Sequence, residues 1–225
     1  MRNINFLISE IKSNSEVMAI IESRMKEFEN LGKSNVNEIF NELCFCLMTA
    51  NFRADRSIEI QSKIGNGFIS FSEDELSLKL KEYGHRFPNT RTQYIIEARE
   101  HIPVLLSKIK KNDRREWLVK NVKGLGYKEA SHFLRNIGYK NYAILDFHII
   151  DLLHNCNIIK TKPKILNPRI YVEIENLLSE ICIKNKITQS ELDLILWYHE
   201  TGTILKWTCH NISFHFCLIF YLYKL

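Results

Sequence analysis

The sequence predicts an all-α protein, and three observations carry that expectation. Apolar residues recur at three- and four-residue spacing through nearly every segment as far as Trp197. No segment alternates at period two for long enough to make a strand, and no internal repeat of about 20–50 residues is visible. Glycines, prolines and capping residues fall at the breaks between the helical runs.

Taken in order, residues 4–11 read as an amphipathic helix and residues 15–31 as a second, ended by Gly32. Residues 37–50 are apolar along one side through Ile39, Phe40, Leu43, Phe45 and Leu47, which marks a central core helix. Residues 54–64 follow, closed by Gly65, Asn66 and Gly67. Ser72 with Glu75 makes a capping box for a helix running to Tyr83, with Gly84 as its stop. Thr90 or Arg91 begins a long helix that Pro103 is expected to kink or divide. Beyond residue 151, residues 160–164 form a polar loop, and Pro168 suits the first turn of a helix reaching Lys184. Thr188 and Glu191 make another capping box, opening the helix that carries Trp197.

Residues 116–151 hold the densest signal. Leu118, Val119 and Val122 lead into Gly124-Leu125-Gly126, where a tight turn is expected to demand positive φ of both glycines. A helix then starts at Tyr127 or Lys128 and shows Ala130, Phe133, Leu134 and Ile137 on one face. Gly138 stops it, and Asp146 opens the next helix. This is the pattern of a helix-hairpin-helix module, whose outward amides and helix start hold a phosphate whatever the base sequence. The Lys128 helix is about 15 Å long, and the loop after it is long enough to bring Asp146 back beside Lys128. An amine and a carboxylate beside a phosphate clamp are the parts needed to attack a sugar carbon. Lys108, Lys110, Lys111, Arg114, Arg115, Lys120, Lys123, Arg135 and Lys140 cluster around the hairpin and read as a DNA-backbone footprint.

The segment GLGYKEASHFLRNIGY…AILDFHII resembles the catalytic core of the helix-hairpin-helix DNA glycosylases. It is most similar to the type-2 8-oxoguanine DNA glycosylase/AP lyases, as are LCFCLMTANFRADRSIEIQ, GHRFPNTRTQYI and ELDLILWYHETGTILK. The resemblance implies a two-lobed helical bundle over residues 1–206, with the active-site cleft between the lobes. It implies a bifunctional base-excision-repair enzyme that removes 8-oxoguanine through a lysine Schiff base and nicks the strand by β-elimination. Lys128 would be the nucleophile and Asp146 the stabilising carboxylate. Gly124, Gly126 and His148 would bind DNA phosphates. Phe87 and Trp197 would line the pocket for a flipped base, and Lys206 would help tell 8-oxoguanine from guanine. His132 reads as structural.

The chain departs from this family in two places. Phe147 stands where an arginine usually follows the aspartate. Relatives end at or near the lysine matching Lys206, whereas residues 207–225 continue as an apolar, aromatic extension. That extension would pack as an extra element, mediate association or be a readthrough of a family-like stop, and it puts 8-oxoguanine selectivity in question. Two other functions compete: a glycosylase for another oxidised base, and a non-catalytic helix-hairpin-helix DNA-binding module. The second has no use for a Lys128–Asp146 pair.

Composition agrees without deciding. A chain of 225 residues with 45% apolar content buries one substantial core or two small lobes. A net charge of +5 admits double-stranded DNA containing oxidised guanine as partner. Cys44 and Cys46 read as buried thiols, while Cys156, Cys182, Cys209 and Cys217 form no C-x-x-C pair. No iron–sulfur cluster, other metal site or organic cofactor is expected, although the hairpin admits a monovalent cation. The first residues lack a signal peptide's apolar region and no run reaches membrane-span length. A cytoplasmic monomer is the expectation.

Overall fold

The computed structural model describes residues 3–205, and its secondary structure is helical throughout, with no strand among those residues. The helices are α1 (Ile4–Ser13), α2 (Ser15–Leu31), α3 (Val36–Thr49), α4 (Ala54–Ile64), the single turn α5 (Gly67–Ser70), α6 (Glu73–Glu82) and α7 (Pro88–Ala98). A 3-10 turn at Arg99–His101 leads into α8 (Ile102–Ile109), followed by α9 (Arg114–Asn121), α10 (Tyr127–Asn136), α11 (Phe147–Asn155), α12 (Pro168–Asn185) and α13 (Gln189–Thr201).

Local chemistry sets most of these boundaries. Both expected capping boxes form: Ser72 and Glu75 open α6, and Thr188 and Glu191 open α13. Asn14 accepts from the Val17 amide and so separates α1 from α2. Pro103 does divide the long helical run, standing in the first turn of α8 just after the 3-10 turn. Helix α7 starts earlier than expected, at Pro88, because proline's fixed φ suits a first helical position and its missing N–H costs nothing there.

Two hydrophobic cores result. One gathers buried residues of α3 to α10 around α3, where Phe40, Leu43, Cys44, Phe45, Cys46 and Leu47 are all sealed from solvent. A helix buried on every side cannot be a surface element, and α3 is accordingly the centre of this core. The other joins the N-terminal helices α1 and α2 to α11, α12 and α13, through residues such as Ile8, Ile21, Leu153, Tyr171 and Ile195. The hairpin helix α10 thus belongs to one core and α11 to the other.

Candidate active site

The hairpin forms at the sequence position expected, but its two glycines do different work. Gly124 has φ +91°, and a Cβ there would lie 2.3 Å from the Tyr94 ring. Backbone handedness and close packing both demand glycine. Gly126 corrects the expectation: its φ is −89° with ψ −176°, extended backbone open to any residue. It is the N-cap of α10 and supplies no side-chain hydrogen bond. The first-turn amides of Tyr127, Lys128 and Glu129 are therefore left without a capping side chain, at the positive end of the helix dipole.

Lys128 is the second residue of α10. Its side chain is one-third exposed, with Nζ 3.7 Å from Glu129 Oε1. Asp146 is the N-cap of α11 and half-buried, its Oδ1 accepting from the Ile149 amide at 2.9 Å. That single bond fixes the carboxylate at the mouth of its helix. Lys128 and Asp146 both act electrostatically on one further group, the buried carboxylate of Asp193 on α13. The nucleophile candidate of one core and the acid candidate of the other therefore converge on a common neighbour.

Asp193 is the site residue that the sequence reading missed. Burial raises its proton affinity, the Asp146 charge adds to that, and Arg135 and Lys128 oppose it. Arg135 Nη1 donates to Asp193 Oδ2 at 2.9 Å, with both side chains largely buried. The available signal was spacing. Arg135 lies seven residues, or two helical turns, after Lys128, and Asp193 lies one turn before Trp197.

Phe87 and Trp197 are both half-buried, and neither is among the residues packed into either core. Phe87 carries Arg86 and Arg91 near its ring, at 5.0 and 5.8 Å from the centroid. Arg91 in turn feels the charge of Glu129, next to Lys128. His148 is exposed in the first turn of α11, beside Phe147, which is 78% exposed. His132 is a half-buried ring set edge-on to Phe45, with desolvation first and then the Arg135, Lys128 and Arg24 charges holding it well below the usual histidine range. Lys206 and residues 207–225 lie outside the described residues.

The proposed basic footprint shrinks. Arg115 is buried against Glu175 and Arg135 against Asp193, so neither faces a phosphate. Arg114 is spent on the Ile109 carbonyl and the Tyr139 ring, and Lys140 on Glu29. Lys110, Lys111 and Lys120 remain exposed, and Lys123 pairs at the surface with Glu97.

Comparisons with known proteins identify the family. Residues 21–187 match the family model for 8-oxoguanine DNA glycosylase of the helix-hairpin-helix type. An 8-oxoguanine DNA glycosylase/AP lyase of Korarchaeum cryptofilum is 53% identical over 196 residues, 85% of this chain and 93% of that protein. One from Methanocaldococcus jannaschii is 47% identical over 203 residues, 88% of this chain and 97% of that protein. The crystal structure of the Methanocaldococcus jannaschii 8-oxoguanine glycosylase/lyase in complex with a 15mer DNA containing 8-oxoguanine superposes with a TM-score of 0.85. It is 46% identical, and the match covers 90% of this chain and 99% of that one. With the family model spanning most of its length and relatives near half identical, this chain belongs to the 8-oxoguanine DNA glycosylase family.

Proposed function

We propose that this protein excises 8-oxoguanine from double-stranded DNA and then cleaves the strand at the resulting abasic site. The observation that supports the reading is that Lys128 and Asp146, each at the start of a helix belonging to a different core, both act on the Asp193 carboxylate, with Lys128 at an uncapped helix start. A phosphate seated on the amides around Gly126 would bring the sugar of a flipped nucleotide against Lys128. Gly124 shapes that turn, and His148 with the first amides of α11 would hold a second phosphate.

The chemistry divides between amine and carboxylate. Lys128, once neutral, attacks C1′, and the glycosidic bond breaks with its electron pair on the base. Asp146, ionised, faces the positive charge that grows on the sugar as the base departs. Opening of the ring leaves a Schiff base between Lys128 and C1′. Loss of a C2′ proton then expels the 3′ phosphate by β-elimination. Phe87 and Trp197, half-buried aromatics outside both cores, suit the two faces of an extruded purine. Lys206 is assigned to discrimination of 8-oxoguanine from guanine. Duplex DNA is the partner, and the protein acts as a monomer without an iron–sulfur cluster or organic cofactor.

Borohydride trapping tests this directly, on duplexes carrying 8-oxoguanine, guanine, thymine glycol or an abasic site. A covalent adduct is expected with 8-oxoguanine and abasic duplexes, and none with either in Lys128→Ala. Trp197→Ala should slow excision of 8-oxoguanine while leaving cleavage of the abasic duplex, which has no base to stack, nearly unchanged. Trapping by Lys128→Ala at the wild-type level removes Lys128 from its role. Truncation after Lys206 in the same assay reports whether residues 207–225 impair lesion selectivity.

A further inference from the structure

This inference rests on the reading of Lys128 as the nucleophile, and that reading leaves one proton unplaced. Lys128 must shed a proton before its nitrogen can attack. Asp146 must stay ionised to face the growing charge on the sugar. One carboxylate cannot hold the proton and the negative charge at the same moment.

A second carboxylate lies within electrostatic reach of both groups. Asp193 lies on α13 with its side chain 14% exposed, pinned through Oδ2 by Arg135 Nη1 at 2.9 Å. It borders a narrow crevice with Ile144 and Ile149, and Ile149 is the residue whose amide Asp146 caps. Arg135 is itself fixed, its guanidinium 4.6 Å from the centre of the Phe28 ring, where Arg24 also sits at 4.7 Å. The charged groups acting on Asp193 are Lys128 and Arg135 from α10 and Asp146 from the cap of α11.

We propose that Asp193 takes the proton Lys128 releases and holds it while Asp146 stays ionised. An N–H bond of the ammonium breaks and an O–H bond forms on Asp193. The freed lone pair makes the N–C1′ bond as the glycosidic pair leaves with the base, which takes up a proton from water. In the free protein Lys128 Nζ rests near Glu129, so the transfer follows a turn of the lysine side chain away from Glu129 and toward α13. Burial supports the assignment, because it makes the Asp193 carboxyl a better proton acceptor than an exposed one. Asp193 acts through Lys128 and is a positioning residue rather than one that touches DNA.

The test is single-turnover excision of 8-oxoguanine across a pH series by the wild type, Asp193→Asn and Asp193→Glu, with duplex binding measured in parallel. Asparagine keeps an oxygen for Arg135 but cannot accept the proton. Asp193→Asn is expected to be at least tenfold slower at neutral pH, with the deficit closing as pH rises and hydroxide takes over. Asp193→Glu should recover most of the rate, and duplex affinity should stay at the wild-type level in both. A deficit equal at every pH, or no deficit, overturns the proposal. Should Asp193→Asn fail to fold, the wild type carries the test through the ¹³C carboxyl resonance of Asp193 and the Cε resonance of Lys128. The two must titrate together, and independent titrations overturn it. Failure of the nucleophile reading looks different: wild-type protein would give no trapped adduct on any duplex, or Lys128→Ala would trap normally.

Discussion

Arg115 closes two of its nitrogens on Glu175, Nη1 on Oε1 at 2.7 Å and Nη2 on Oε2 at 2.8 Å. Glu175 Oε1 also accepts the Ala143 amide at 2.8 Å, three residues before Asp146. Nearby, the Tyr171 hydroxyl donates to the Ala143 carbonyl and accepts the Leu145 amide. This buried fork therefore holds the loop that returns the chain to the site, and it ties α9 of one core to α12 of the other.

Breaking such a pair leaves one charge buried and unpaired, which costs about 3–5 kcal/mol. Arg115→Ala is expected to lose stability of that order in a urea melt and to lose excision activity beyond the unfolded fraction, because Asp146 is no longer held. Arg115→Lys keeps the charge but not the fork, and should fall between the two. A melting midpoint for Arg115→Ala equal to that of the wild type would show that the fork carries little of the fold.

The hairpin glycines separate fold from function. Gly124→Ala forces a side chain into left-handed backbone, costing about 1–3 kcal/mol, and drives its Cβ into the Tyr94 ring. Gly126→Ala meets only the far end of Glu129, at 3.3 Å, in extended backbone. The first variant should lose stability and DNA binding together. The second should melt like the wild type yet bind duplex more weakly, since its new methyl stands at the uncapped start of α10. Equal melting temperatures and equal duplex affinities for the two variants would contradict this division.

Beneath the site, burial pushes the Glu42 carboxyl up to about 7, with Asn136, Arg24 and Arg135 opposing. Between 4.5, its ordinary value, and about 7 the folded protein keeps a proton that the unfolded chain has released. Stability therefore falls as pH rises through that window and levels off above it. The full interval corresponds to on the order of 3 kcal/mol. Glu42→Gln, which cannot titrate, should lack this slope and gain most on the wild type above pH 7. Parallel stability–pH curves for the two proteins would show that Glu42 is ionised throughout.

How much of this was legible in the sequence depends on how far each partner lies along the chain. The two capping boxes span three residues and were readable directly, as was the hairpin-to-lysine spacing. Arg115 and Arg135 were misread as DNA contacts because their partners are 60 and 58 residues away. An arginine in a basic cluster looks the same on paper whether it faces solvent or a buried carboxylate. Asp193 was passed over for the same reason, since only the fold pairs it with Arg135 and brings it within reach of the Lys128 and Asp146 charges. The positive φ expected at Gly126 failed because a two-glycine turn needs left-handed backbone at one residue, and Gly124 supplies it. The turn α5 was hidden in a stretch read only as a glycine-rich stop.

Phe147 offers the last prediction. It is the first residue of α11, directly after Asp146, and its ring is 78% exposed among groups proposed to meet DNA. An exposed phenyl there neutralises no phosphate, whereas a guanidinium would stand at the same helix mouth with one more positive charge. Counterion release makes that difference measurable: each added phosphate contact steepens the fall of log affinity with log salt by about 0.9. Phe147→Arg should therefore bind undamaged and lesion-bearing duplexes more tightly at low salt, by similar factors, and should show a salt slope steeper by about that amount. Its stability should hardly change, because the ring packs into neither core. The gain should carry into excision as a lower KM with kcat unchanged, since phosphate contacts are made equally in ground and transition states. A salt slope matching the wild type would mean that the start of α11 does not face the DNA backbone, and would remove His148 from the phosphate site along with it.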